Sequence, residues 1–209
     1  MNPNRLLVLY AHGAPHRSRV NRRLADAART VDGVFVHDLY ETYPDFYIDV
    51  ARERALVAQA EVLVFLHPFQ WYGMPALMKE WVDSVLHDGW QHAPHGGPCH
   101  GKGYWLVTST GSLEAEFAAG ARHGRPFGHY LAPFEQIAAV CGMRWIAPHV
   151  LHGAHAVGAG ALDAHVAAFV TRLQQLAGGA AGPAAVPAAA LATDASPARD
   201  ANTAPGHGT

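Results

Sequence analysis

Three stretches carry side chains that could hold a ligand and act on it: His12 to Asn21, Pro68 to Tyr72, and Ser109 to Ser112. In the first, Ser18 stands between Arg17 and Arg19, just before a helical pattern. A helix N-terminus presents unpaired N–H groups and a positive dipole end, which together suit a phosphate. The stretch is neither the Gly-x-Gly-x-x-Gly of dinucleotide binders nor a Walker loop with its lysine. An ordinary serine cap beside solvated arginines would look the same. The second stretch offers the Gln70 amide and the faces of Trp71 and Tyr72, a set suited to a flat ring with polar edges. Its plainer reading is core packing of aromatics. The third, Ser109-Thr110-Gly111-Ser112, is small enough to bring backbone N–H groups against a ring edge. One ligand uses all three: a phosphate arm on the first and a planar heterocycle between the other two. FMN has that shape.

The elements that must position these loops follow from periodicity. Leu6 to Tyr10 and Val62 to Leu66 are continuous apolar runs, the mark of strands buried on both faces. The spacing predicts further strands over 34–39, 104–109 and 145–151. Val20, Leu24, Ala27, Ala28 and Val31 recur at helical spacing behind Ser18. Asp49 can cap a helix running to Ala60, and Pro75 suits the first turn of another. In that helix Met74, Leu77, Met78, Trp81, Val85 and Leu86 share one face, with Lys79, Glu80, Asp83 and Ser84 on the other. Phe134 to Cys141, ended by Gly142, and Leu162 to Leu173 complete the helices. Pro148 cannot donate to a ladder, so the fifth strand belongs at a sheet edge. Residues 113–130 are expected to form a long loop with some helix.

Five alternations of strand and helix predict an α/β fold, a three-layer α/β/α sandwich on a five-stranded parallel sheet. The flavodoxin-like order 2-1-3-4-5 puts the ligand crevice at the switch between strands one and three. The three loops then share one rim.

The 209 residues suffice for one domain with a sizeable core. A net charge of −2 gives no basic stripe for nucleic acid, and no apolar run reaches membrane-spanning length. The start of the chain leads into a strand and not a signal peptide, and two cysteines, Cys99 and Cys141, fit a reducing cytoplasm. Residues 1–176 are assigned to the domain. From Ala177 onward, 22 of 33 residues are Ala, Gly or Pro, so residues 177–209 are expected to be a disordered tail.

Several motifs carry a family resemblance. Tyr10-Ala11-His12, Ser18-x-x-Asn21, Tyr43-Pro44-Asp45-Phe46, and His67-Pro68-Phe69-Gln70-Trp71-Tyr72-Gly73-Met74-Pro75 with Lys79-x-Trp81 and Gly89-Trp90 resemble the NAD(P)H:quinone oxidoreductase family. This is the flavodoxin-like group that includes DT-diaphorase. The chain is most similar to its bacterial branch, the ancillary proteins of glutathione-gated potassium efflux systems. The resemblance runs from about Arg5 to Leu176.

It implies a flavin-dependent two-electron reductase, usually a homodimer, working by ping-pong hydride transfer. The cofactor would be FMN rather than FAD, with NADPH or NADH as co-substrate and a quinone as acceptor. By position, His12, Ser18, Arg19, Val20 and Asn21 would hold the phosphate and ribityl chain. Pro68, Phe69, Gln70, Trp71 and Tyr72 would contact the isoalloxazine, as would Ser109, Thr110, Gly111 and Ser112. Trp90 would lie near the flavin and the substrate. Where DT-diaphorase-like members place a Tyr and a His, this chain has Phe117 and His123. A hydroxyl relay is then expected to be missing, leaving His123 as the catalytic group beside substrate. A potassium efflux antiporter is implied as a partner, with a cytoplasmic location at the inner face of the membrane.

Two rival functions differ in class. One is a regulatory flavoprotein subunit that docks on an antiporter with little turnover. The other is a one-electron flavodoxin-like carrier, for which −2 is too little acidity. The set His87, His92, His95, Cys99 and His100 lacks the paired spacing of a zinc site, so no metal is expected.

Overall fold

The computed structural model describes residues 5–86 and 97–179. Five strands form one parallel sheet: β1 (Leu6–Tyr10), β2 (Val34–Asp38), β3 (Val62–Pro68), β4 (Gly103–Ser109) and β5 (Arg144–Leu151). The spatial order is β2-β1-β3-β4-β5, as the alternation predicts. Among the described residues, six α-helices connect and flank them: α1 (Val20–Ala28), α2 (Leu39–Thr42), α3 (Val50–Gln59), α4 (Ala76–Val85), α5 (Ala132–Val140) and α6 (Ala159–Ala177).

Strand side chains alternate between two apolar layers. Leu7, Leu9, Leu63, Phe65, Tyr104 and Leu106 face α3, α4 and α5, packing with Val57, Met78, Trp81 and Phe134. Leu6, Val8, Val64, Trp105 and Val107 face α1 and α6, packing with Leu24, Leu162 and Phe169. Both faces are covered, so β1, β3 and β4 carry no exposed position. That accounts for the continuous apolar runs of the sequence.

β5 lies at an edge, and its pairing with β4 slips between Trp105 and Val107, opposite the Ala147-Pro148 step. A proline that cannot donate is accommodated by this irregularity. Asp49 caps α3 by accepting the Arg52 N–H. Gly142, at φ 65°, closes α5. The short helix α2 was not foreseen; Asp38 caps it, accepting from the N–H groups of Tyr40 and Glu41. The loop after β4 contains two 3-10 turns, Glu114–Glu116 and Phe127–Tyr130.

Beneath the sheet Glu53 is fully buried and accepts three hydrogen bonds, from His37 Nε2, Tyr43 Oη and Trp81 Nε1 at 2.9, 2.5 and 2.7 Å. Burial alone would raise its carboxyl pKa, but these donors hold it below the ordinary value. The network ties β2, the loop after α2, α3 and α4 together. The expected tail lies outside the described residues, apart from Ala177, which is the last residue of α6, and two glycines. Among the described residues, no helix is long and apolar enough to cross a membrane.

Candidate functional site

In a parallel sheet every strand delivers its carboxyl end to the same rim. Register fixes the neighbours: Tyr10 pairs with Leu66, and Pro68 with Ser109. The loops after β1, β3 and β4 therefore stand side by side.

The loop after β3 is a tight turn. Gln70 and Gly73 exchange backbone hydrogen bonds of 3.1 and 2.9 Å, and the two residues between them, Trp71 and Tyr72, both have positive φ (47° and 64°). Such turns ordinarily take Asn-Gly, because a side chain at positive φ is strained. Here two aromatics hold the strained positions. Trp71 is 96% exposed, so its ring stands in solvent at the rim and is not core. Phe69, half-buried below, packs edge-on against Tyr72 and Phe127.

Opposite this turn runs Thr110-Gly111-Ser112. Thr110 is buried, donating its hydroxyl to Ser112 O at 2.7 Å and pairing with His152 Nδ1 at 2.9 Å. Burial lowers the pKa of His152, so a neutral ring donating from Nδ1 to Thr110 fits both bonds. A Cβ on Gly111 would lie 3.0 Å from Nε2 of the exposed His155, which would have to shift by a few tenths of an ångström. Among the described residues, the N–H groups of Gly111 and Ser112 donate to no acceptor.

A cleft of about 210 Å³ lies between the turn and this loop. Phe69, Trp71 and Tyr72 form one wall, and Thr110, Gly111 and Ser112 the other. Phe117, Arg122 and His123 close its end. His123 is held on every side. Its Nε2 lies 2.8 Å from Ser112 Oγ, its Nδ1 3.3 Å from Tyr72 Oη, and its ring stacks on Phe117 with centroids 4.2 Å apart. Tyr130 Oη donates to the His123 carbonyl at 2.6 Å.

Phe117 lacks a hydroxyl, and the hydroxyl that lies 3.3 Å from His123 Nδ1 is that of Tyr72, 51 residues away in the sequence. Phe117 is buried and serves as the surface on which His123 lies.

The first loop stands one strand further along the rim and does not line this cleft. One expectation is corrected at Ser18. It precedes the helix by one residue more than expected, since Arg19 occupies the cap position and makes no side-chain cap bond. Ser18 Oγ instead accepts the Arg22 N–H at 3.0 Å. The first N–H groups of α1 have no intrahelical partners. Asn21 is buried with Oδ1 unpartnered. Val20 is buried in the core and Arg19 is exposed. His12 Nδ1 accepts the Ala14 N–H at 3.1 Å, and burial lowers its pKa.

Of the other expected residues, Pro68 and Ser109 end their strands beneath the cleft, and Gln70 is exposed on the turn without lining it. Trp90, His87, His92 and His95 lie outside the described residues. Cys99 is buried in the core, where burial pushes its thiol up to about 12. Arg122, Tyr130, His152 and His155 went unread in the sequence. The density of aromatic and histidine residues over 117–130 and 149–155 was the available signal.

A topology of 2-1-3-4-5 with its cleft at the carboxyl rim defines a class, the flavodoxin-like α/β proteins. The chain belongs to the flavodoxin-like fold family, whose family model matches residues 4–176. It is similar to a solved chain described as a thermophilic tryptophan halogenase from Streptomycin violaceusniger, at 32% identity and a TM-score of 0.72 over 81% of this chain and 96% of that one. It is similar to general stress protein 14 of Treponema denticola, solved in complex with FMN, at 29% identity, a TM-score of 0.73, and 85% and 99% coverage. It is also similar to an NADPH-quinone reductase from P. pentosaceus, at 26% identity, a TM-score of 0.72, and 83% and 97% coverage. One fold thus carries different names, and function has to be argued from the site.

Proposed function

We infer that this protein is an FMN-dependent NAD(P)H:quinone oxidoreductase. The observation that carries the reading is the cleft itself. An exposed indole on a strained turn shares the cleft with two unengaged backbone N–H groups, one strand away from the amino end of α1. These residues fit FMN. The turn supplies an apolar wall, Gly111 and Ser112 supply donors for a ring edge, and Asn21 Oδ1 is a buried acceptor awaiting a donor. Ser18, Arg19 and the first N–H groups of α1 would hold the phosphate, with His12 beside them and Val20 packed beneath. The FMN complex and the quinone-reductase name among similar chains support the same reading.

Bound FMN supplies the hydride chemistry by which two electrons pass from NADPH or NADH to a quinone. The remaining work falls to the chain. Reduction of a quinone by NAD(P)H consumes one proton besides the hydride. His123, at the end of the cleft, is placed to hold that proton on either ring nitrogen, between the Tyr72 and Ser112 hydroxyls. Arg122, 3.5 Å from Glu116, adds positive charge where negative charge develops. Thr110 and His152 fix the backbone of the opposite wall.

A second copy of the chain is a natural cover for the rim. Trp71, Tyr47 and Leu113 are 96%, 81% and 57% exposed, and a homodimer would bury such apolar side chains. The reading is tested by steady-state kinetics with NADPH or NADH and a soluble quinone. Parallel double-reciprocal lines are expected. Bound FMN with no acceptor turnover would favour a regulatory subunit instead.

A further inference from the structure

A second cavity lies at the opposite end of the sheet. Val62, Gly103 and Arg144 are register partners at the amino ends of β3, β4 and β5. Beside them is a cavity of about 360 Å³, lined in part by Glu61, His100, Lys102 and Arg144.

Its charges do not balance. The one carboxylate, Glu61, is committed to Arg5, whose Nε and Nη2 both donate to it, at 3.1 and 2.7 Å. Arg5 also donates to the Ala177 carbonyl at 3.0 Å, which satisfies part of the negative end of α6. Lys102 donates to the carbonyls of Ala58 and Ala60 and meets no carboxylate. Arg144 is half-buried, and its Nη1 is buried without any partner among the described residues. Nearly all buried polar groups find a partner, and a guanidinium fork is shaped for planar oxyanions. Two cations and an imidazole thus face a space with no anion of its own to spare.

We propose that this cavity binds an oxyanion, the phosphate or carboxylate of a small metabolite, on Arg144, Lys102 and His100. The volume takes the anionic group and several more heavy atoms. The site lies away from the carboxyl rim, so it does not depend on the flavin reading.

Amide resonances of the full-length protein, recorded with excess FMN present and at constant ionic strength, test this during titration with inorganic phosphate and, separately, acetate. Saturable shifts of Gly101, Lys102, Gly103 and Arg144 are expected with at least one of the two, and the effective one tells phosphate from carboxylate. Shifts confined to Ser18–Asn21 belong to the other rim and would overturn the proposal, as would no saturable shift at all. Arg144→Gln should weaken binding by at least about tenfold. Arg52→Gln, an equal loss of charge on the exposed side of α3, should leave it unchanged. Equal weakening in both variants would reduce the effect to net charge and contradict the site. The wild-type titration stands alone should Arg144→Gln not fold.

Discussion

His123 has both ring nitrogens engaged, by hydroxyls from two different loops, while its ring rests on Phe117. A histidine fixed in this way can pass a proton without reorienting. His123→Gln is expected to keep FMN bound and to lower quinone-dependent kcat by about 10²-fold, the ordinary value of general acid–base catalysis. An unchanged kcat would remove His123 from the reaction. Tyr72→Phe should leave the fold intact and shift the imidazole nitrogen resonances of His123, whether or not flavin is bound. A second histidine reports on stability. His67 is fully buried, stacks on Phe134 and pairs Nδ1 with the Pro68 carbonyl, leaving Nε2 unpartnered. Burial lowers its pKa to about 4, below the unfolded value near 6.5. The folded state therefore binds fewer protons in that window, and stability is lost as pH falls from about 6.5 toward 4. Urea melts of the wild type should show that loss, and His67→Phe should flatten it. Equal slopes for the two proteins would contradict this assignment.

At the scale of elements, the turn from Gln70 to Gly73 sets two requirements against each other. Positive φ at Trp71 and Tyr72 costs on the order of 1–3 kcal/mol each, and the surrounding strand and helix impose it. Replacing Trp71-Tyr72 by Asn-Gly should raise urea stability by about 1–2 kcal/mol and abolish flavin retention. A variant that is both stabler and still yellow would show that the aromatics do not serve the ligand. Single substitutions give the finer reading: Trp71→Ala and Ser18→Ala should each weaken FMN binding by about tenfold with helix content unchanged. These elements also show how far a sequence can be read. The strand of Val62 to Leu66, the loop that follows it and the helix behind Pro75 were legible because each is a local pattern. So were the parallel order and the edge place of β5, which follow from alternation and from Pro148. The partners of His123 were not legible. Tyr72, Ser112 and Tyr130 meet it only once β3, β4 and the long loop are folded together, and no local period encodes that. Ser18 shows the opposite limit, since a good cap residue stands one position before the cap, with a 3-10 turn, Pro15–Arg17, preceding α1.

For the whole molecule, two apolar layers hold a parallel sheet whose carboxyl rim carries the candidate cleft. The layer beneath α3 and α4 is pinned by Glu53, which joins four segments through three donors. Glu53→Ala strands those donors in the core and should destabilise the protein by about 3 kcal/mol or more, read by thermal or urea melts. A loss under about 1 kcal/mol would mean that the network contributes little. Among the described residues the sheet and both layers end with Ala177, so a chain ending at Gly179 is expected to keep its cooperative melt and its flavin affinity. The account rests most directly on the cofactor. Protein purified without added flavin should be yellow, with an oxidised-flavin absorbance spectrum, and should release FMN, identified by mass, on denaturation. Colourless protein that takes up neither FMN nor FAD on reconstitution would contradict the assignment of the rim as a flavin site.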